Sequence, residues 1–377
     1  MRFCYSAPMR VLVATGLYPP DIGGPATYSK LLEVALPERG IAVTVVPFGT
    51  VRALPPIIRH LAYLYRVLRL GRHADVLYAQ DTASVGFPVL VANLVLWKKF
   101  IVRVPGDHAW EQGTQRYGIG GPLEEFPLWS WNWHPWLMLI RLSQLLVARS
   151  AKRVIVPSDY MKRIVATWGV NERNIVRIHS SVTVGDVGEK EVIRGVIHFE
   201  GTLLISVGRL VPWKGFDVVI KVFSKLKEKF PQLTLFIAGS GPELGNLERL
   251  VAELKLSDAV ILAGTIDHDA LLRYIKASDV FVLNTQYEGL SHLVLETMAV
   301  GTPVVTTNIG GNPEVITDGV NGYLVAPNDI RALQSRISAL LEKPATAARI
   351  SKAGVSRSKD FSVAHMADGL ATLLASL

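Results

Sequence analysis

Ten short apolar runs, each separated from the next by helical periodicity, constrain this chain more than any other feature. They are Arg10–Ala14, Val43–Val46, Val76–Tyr78, Phe100–Val104 and Val154–Val156, then Leu203–Val207, Leu233–Ala238, Val260–Leu262, Val280–Leu283 and Val304–Thr306. A strand with one wet face alternates apolar and polar residues. Unbroken runs of Val, Ile and Leu instead need apolar cover on both faces, which a parallel sheet between helices supplies. The expected fold class is α/β, with two doubly wound Rossmann-like domains. A chain of 377 residues is long enough for two domains, each with its own core. The stretch Ser180–Gly201, with Gly185, Gly188 and Gly195 among mixed charges, is the most weakly patterned and lies near the midpoint. The expected division is residues 1–185, a linker at 186–202, a second domain at 203–360, and a helix at 361–377 whose partner the sequence does not reveal. Ligands of open parallel sheets bind beyond the carboxyl ends of the strands, so two facing sheets would share a cleft site.

Charge is unevenly divided. Residues 1–190 carry 22 Lys and Arg against 13 Asp and Glu, whereas the remainder is close to neutral, within a net charge of +8. A basic first half suits phospholipid, a phosphorylated acceptor or nucleic acid, or is simply a solvated surface. One cysteine, Cys4, rules out an intrachain disulfide and a cysteine-based zinc site and fits a reducing cytoplasm. Met1–Arg10 lacks the apolar core of a signal peptide, and the longest apolar run, Val85–Trp97, is too short to span a bilayer.

The segment Tyr287–Val305, YEGLSHLVLETMAVGTPVV, places Glu288 and Glu296 eight residues apart, one in a loop and one on the helix that follows. Ser291 is the natural helix cap, and Gly301 with Pro303 ends the helix. A helix amino end at Gly289–Leu290 offers N–H groups and a positive dipole to a diphosphate. Carboxylates accept hydrogen bonds from hydroxyls, so both glutamates suit a polyol ligand; alternatively each is a solvated polar residue. Arg209 and Lys214, in Ile205–Gly215 (ISVGRLVPWKG), follow a strand and could neutralise a leaving diphosphate. Phe236–Glu243, FIAGSGPE, ends a strand in a glycine turn that lets backbone come close to a ligand, or is a plain tight turn.

With Gly310–Ile316 (GGNPEVI) and Asn321–Val325 (NGYLV), these segments resemble, in order and spacing, glycosyltransferase family four, the retaining GT-B enzymes with two facing Rossmann-like domains and an interdomain cleft. The resemblance is dense over residues 203–326 and looser before them; Leu17–Tyr28, LYPPDIGGPATY, is similar to the family's glycine-rich first loop. It implies an acceptor-binding first domain and a nucleotide-sugar-binding second one. Donor contacts are implied for Gly208, Gly239 and Gly241, an approach to donor phosphate or acceptor for Gly23 and Gly24 unless they form an ordinary strand-to-helix turn, a diphosphate pair for Arg209 and Lys214, and a ribose contact for Glu296. Glu288, as the first of the family's paired glutamates, would position the donor sugar, with Gly289, Leu290 and Ser291 contacting sugar and phosphate. His108, in Ile101–Gly113, is the counterpart of a histidine that contacts the sugar, with Asp107 as the alternative or with His108 an ordinary surface histidine. No cofactor and no metal is expected. Asp267-His268-Asp269 imitates the metal triplet of the other glycosyltransferase fold, yet precedes a helical pattern and reads better as a cap. The chain departs from the family at His179–Val184, HSSVTV, where an Asn-Gly turn and an acidic residue are usual.

The implied reaction moves a hexose from a nucleoside diphosphate sugar to a glycan or lipid-linked acceptor of the cell envelope. Residues 56–73 form a basic amphipathic helix, and residues 128–136 hold four tryptophans, a pairing that suits the inner, anionic face of a membrane. The same segments can equally be a core helix and an aromatic acceptor loop. The rival functions are a GT-B sugar-nucleotide epimerase and a non-catalytic nucleotide- or nucleic-acid-binding protein. No nucleic-acid motif is present, and carboxylates would repel phosphates. Leu12–Gly24 lacks the glycine fingerprint of a dinucleotide oxidoreductase.

Overall fold

The computed structural model describes residues 8–21 and 23–377, so Cys4, the start of Met1–Arg10 and Ile22 of the first loop lie outside the described residues. The chain forms two compact units. One takes the chain up to Ser181 and again Val363–Leu377; the other is Val182–Ser362.

The first unit holds six parallel strands: β1 (Met9–Thr15), β2 (Ile41–Pro47), β3 (Val76–Ala79), β4 (Lys99–Arg103), β5 (Arg153–Val156) and β6 (Ile175–Arg177), in the order β2-β1-β3-β4-β5-β6. The second holds β7 (Thr202–Val207), β8 (Leu233–Ala238), β9 (Val260–Gly264), β10 (Val280–Leu283), β11 (Val304–Thr307) and β12 (Tyr323–Val325), ordered β12-β11-β10-β7-β8-β9 and also parallel. Strand order reverses between β1 and β3 in one sheet and between β7 and β10 in the other, as in doubly wound folds.

Alternate residues of one strand feed different cores, which is why the runs are apolar throughout. Leu203 and Ile205 of β7 pack with Phe281 and Val304 on one face, while Leu204 packs with Val282 and Val305 on the other. Two edge strands, β6 and β12, were not expected from the sequence. Each has three residues and borders one neighbour, so it carries too little apolar pattern to stand out.

Residues 186–202, read as a linker from the sequence, contain the helix Lys190–Val196, whose Ile193 is buried in the core of the second unit. The chain leaves the first unit earlier, between Ser181 and Val182, within the His179–Val184 segment. It returns between Ser362 and Val363, and the Val182 N–H donates to the Phe361 carbonyl at 2.9 Å. The helix Val363–Ala375 then buries Met366, Leu370 and Leu374 against Val11, Leu32 and Leu36 of the first unit.

Candidate functional site

In the second unit the candidate residues gather at the carboxyl ends of β7 and β10, the strands between which the order reverses. β7 gives way to Gly208 and Arg209, and the short turn Pro212–Lys214 then delivers Lys214 to the start of the helix Phe216–Lys229. β10 leads through Asn284–Leu290 to Ser291, whose Oγ accepts the Val294 N–H at 3.3 Å and caps the helix His292–Val300. The cap and the glycine stop at Gly301 fall where the sequence puts them. The two loops are joined. Gln286 N–H donates to the Trp213 carbonyl at 2.7 Å, and the Lys214 ammonium is ion-paired with Glu288. Both charged side chains are mostly enclosed, 14% and 13% exposed, so neither charge is neutralised by bulk water alone. Arg209 is exposed at the rim, its guanidinium 5.5 Å from the Trp213 ring centroid.

Glu296 lies about one turn from the helix start. Its side chain is 13% exposed, and burial pushes its carboxyl up to about 7. His268 Nε2 sits 3.7 Å from Glu296 Oε1. His268 opens the helix His268–Ala277, where Asp267 Oδ1 accepts the N–H groups of Asp269 and Ala270 at 3.0 and 3.1 Å. Asp267 is therefore the cap that the sequence indicates.

Glycines set the spacing of these loops. A Cβ on Gly239 would lie 1.9 Å from the Gly208 carbonyl oxygen and one on Gly241 2.2 Å from that of Leu210. The close approach that these glycines permit is thus to the β7 loop, backbone on backbone. A Cβ on Gly310 would stand 2.0 Å from the Glu288 carbonyl oxygen, and the Gly311 N–H donates to that same oxygen at 3.0 Å. Gly310 and Gly311 therefore form the floor under Glu288, Gly289 and Leu290. Their motif is visible in the sequence, but this role was not assigned to them; the Gly-Gly pair before Asn-Pro was the available signal. His268 was missed because 28 residues separate it from Glu296 and only the fold brings them together.

The remaining candidates belong to the first unit. Gly23 caps the helix Gly24–Ala35 after β1. His108 is the half-buried first residue of the helix His108–Tyr117, beyond the carboxyl end of β4. Asp107 requires a correction. It is fully buried, its Oδ1 accepts the Trp110 N–H at 3.0 Å, and its Oδ2 pairs with the equally buried Arg141 at 2.8 Å. A carboxylate enclosed as a helix cap and ion-pair partner cannot face a sugar, so Asp107 positions the helix that carries His108.

Known proteins match this arrangement. The family model "Glycosyltransferase Family 4" matches residues 10–185, and "Glycosyl transferases group 1" matches residues 190–357. A glycogen synthase from Mycobacterium tuberculosis is 34% identical over 387 residues, covering 93% of this chain and 90% of that one. A GDP-mannose-dependent alpha-(1-6)-phosphatidylinositol monomannoside mannosyltransferase from Mycolicibacterium smegmatis is 33% identical over 159 residues, and the match spans 42% of its length. Among solved structures, Anabaena HepE in complex with UDP-glucose superposes with a TM-score of 0.76 at 19% identity, covering 98% of this chain and all of that one. A sucrose-phosphate synthase from Thermosynechococcus elongatus gives the same TM-score and identity over 98% of each chain. The two models divide this chain almost where its two units divide, and the glycogen synthase aligns with both; the chain belongs to glycosyltransferase family 4 and has the GT-B fold.

Proposed function

We propose that the chain transfers a hexose from a nucleoside diphosphate sugar to a glycan or lipid-linked acceptor in cell-envelope synthesis, with retention of anomeric configuration and without a metal, in the cytoplasm at the inner face of a membrane. The observation that carries the reading is the Lys214–Glu288 ion pair beside the amino end of the helix His292–Val300, at the point where strand order reverses. A bound diphosphate replaces Glu288 as the partner of Lys214 and takes up the helix dipole and Arg209 as further positive charge. Glu288, released, accepts hydroxyl hydrogen bonds from the sugar, while Glu296 does so from the ribose.

In the reaction the bond from the anomeric carbon to the diphosphate oxygen breaks, and the acceptor oxygen bonds to the same carbon on the same face. The acceptor proton passes to the departing phosphate oxygen. Positive charge grows on the ring and negative charge on the diphosphate, so Lys214, Arg209 and the helix amino end act where charge increases. His108 contacts the donor sugar in this reading. Support for the donor and acceptor classes comes from what the relatives' names state: HepE was crystallised with UDP-glucose, and the mycobacterial mannosyltransferase uses GDP-mannose and a phosphatidylinositol mannoside.

The test incubates the protein with uridine, guanosine and adenosine diphosphate sugars, with and without chelator and lipid extract, and follows nucleoside diphosphate release and products. Release from one donor that survives chelator, with an α-linked product from an α-linked donor, supports the reading. Free epimerised sugar would indicate the epimerase, and no release with no saturable donor binding would leave a non-catalytic protein.

A further inference from the structure

Three helices of the first unit lie side by side: Pro56–Gly71 packs on Gly86–Leu96, which packs on Pro135–Ser150. They lead into β3, β4 and β5, neighbouring parallel strands, so all three end at the same edge of the sheet. A surface helix normally turns a polar stripe outward. Here each outward stripe is apolar: Ile57 and Leu61 on the first helix, Leu94 and Val95 on the second, Leu139 and Leu142 on the third are all exposed, with Leu61 at 60%, Leu94 at 68% and Leu139 at 57%. Trp97, 87% exposed, and Trp131 and Trp136 stand at the ends of this layer. None of the three helices contains Asp or Glu, and cations follow the apolar residues near the shared edge: Arg69, Lys99 and Arg149 are exposed there. The helix Gly86–Leu96 is the apolar run Val85–Trp97 that is too short to span a bilayer; it packs between the other two helices of the layer.

We infer that this three-helix layer is a docking face for an anionic lipid bilayer. Neighbouring apolar stripes of this kind mark an interaction surface. Interfacial tryptophans and a border where Arg69, Lys99 and Arg149 outnumber Asp75, a carboxylate already paired with Arg10, match a headgroup zone of negative charge. A second copy of the chain fits poorly, because pairing two such faces would oppose cation to cation, and Asp75, the carboxylate at this edge, is already paired with Arg10. No helix among the described residues is long and apolar enough to cross a membrane, so the contact is peripheral. The inference deepens the membrane-peripheral part of the proposed function and does not depend on the transfer chemistry.

Co-sedimentation with vesicles tests it, using phosphatidylcholine alone or mixed with phosphatidylglycerol. Donor binding is measured on the same preparation, so that a failure of the transfer reading shows separately. Expected are sedimentation with the mixed vesicles at least ~10-fold stronger than with phosphatidylcholine, and weakening as salt is raised. The triple variant Leu61→Gln, Leu94→Gln, Leu139→Gln, one exposed position per helix, should bind mixed vesicles at least ~10-fold more weakly with unchanged far-ultraviolet circular dichroism. The pair Arg69→Ala, Lys99→Ala should lose the preference for phosphatidylglycerol. No sedimentation with either vesicle, equal sedimentation of the parent and the folded triple variant, or a concentration-dependent dimer that the triple variant dissociates would overturn the inference.

Discussion

At the scale of single residues, the informative side chains are those whose charge is enclosed. Lys214 faces Glu288 with little water around either, so in the proposed reaction its ammonium exchanges Glu288 for a diphosphate without first shedding a full hydration shell. Lys214→Ala should lower nucleoside diphosphate release by about 10²–10³-fold, the range for loss of one preorganised charge donor, with Lys214→Arg recovering part of it in the same steady-state assay. Glu296 adds a dependence on pH. Its carboxyl is held above its ordinary value of 4.5, at about 7, by burial, so the protonated form is favoured by folding. That stability is fully present below about 4.5 and is lost as pH rises through about 7. Denaturant unfolding should show Glu296→Gln flattening this slope and exceeding the parent by roughly 1–3 kcal/mol near pH 8. Asp107 and Arg141 illustrate the opposite use of charge. Removing one partner of a fully buried pair strands the other, so Arg141→Ala should cost about 3–5 kcal/mol in urea unfolding, and Asp107→Asn with Arg141→Met should regain much of it.

At the scale of elements, the site is a stack of loops rather than a set of side chains. The β8 loop lies on the β7 loop through Gly239 and Gly241, and the β11 loop lies under the β10 loop through Gly310 and Gly311. Gly310 has a φ of 61°, and a Cβ there would collide with the Glu288 carbonyl, so the residue is constrained by conformation and by space together. Gly310→Ala should displace Glu288–Leu290, weakening donor binding by at least ~10-fold in isothermal titration and lowering unfolding stability by about 1–3 kcal/mol. The helix cap at Ser291 and the strand ends at Val207 and Leu283 were legible in the sequence, because cap chemistry and unbroken apolar runs are local signals. What the glycines touch was not legible. Close approach could be inferred from GSG or GG, but whether the neighbour is ligand or backbone depends on a loop 22 to 31 residues away. Asp107 was misjudged for the same reason: Arg141, 34 residues on, takes its second oxygen.

At the scale of the whole molecule, two α/β units with parallel sheets were readable because each strand feeds two cores and so stays apolar along its length. The chain's route between units was not. The glycines and mixed charges of Ser180–Gly201 resemble a linker, yet the helix Lys190–Val196 folds within the second unit, and the last helix returns to the first. Amphipathic periodicity shows that Val363–Ala375 packs somewhere, but not against which sheet. Leu370, fully buried beside Leu32 and Leu36, makes the assignment testable: Leu370→Ala should destabilise the first unit by about 2–5 kcal/mol, read from amide exchange in β1 and β3, while the second unit keeps its protection. This route also orders events during synthesis. Since Val182–Ser362 is one uninterrupted stretch, the ribosome delivers the second unit whole, and it can fold while the first still awaits the helix that closes its core. The unit begun first is thus the one that matures later, leaving the Val11, Leu32 and Leu36 surface in need of protection until Val363–Ala375 has emerged from the ribosome.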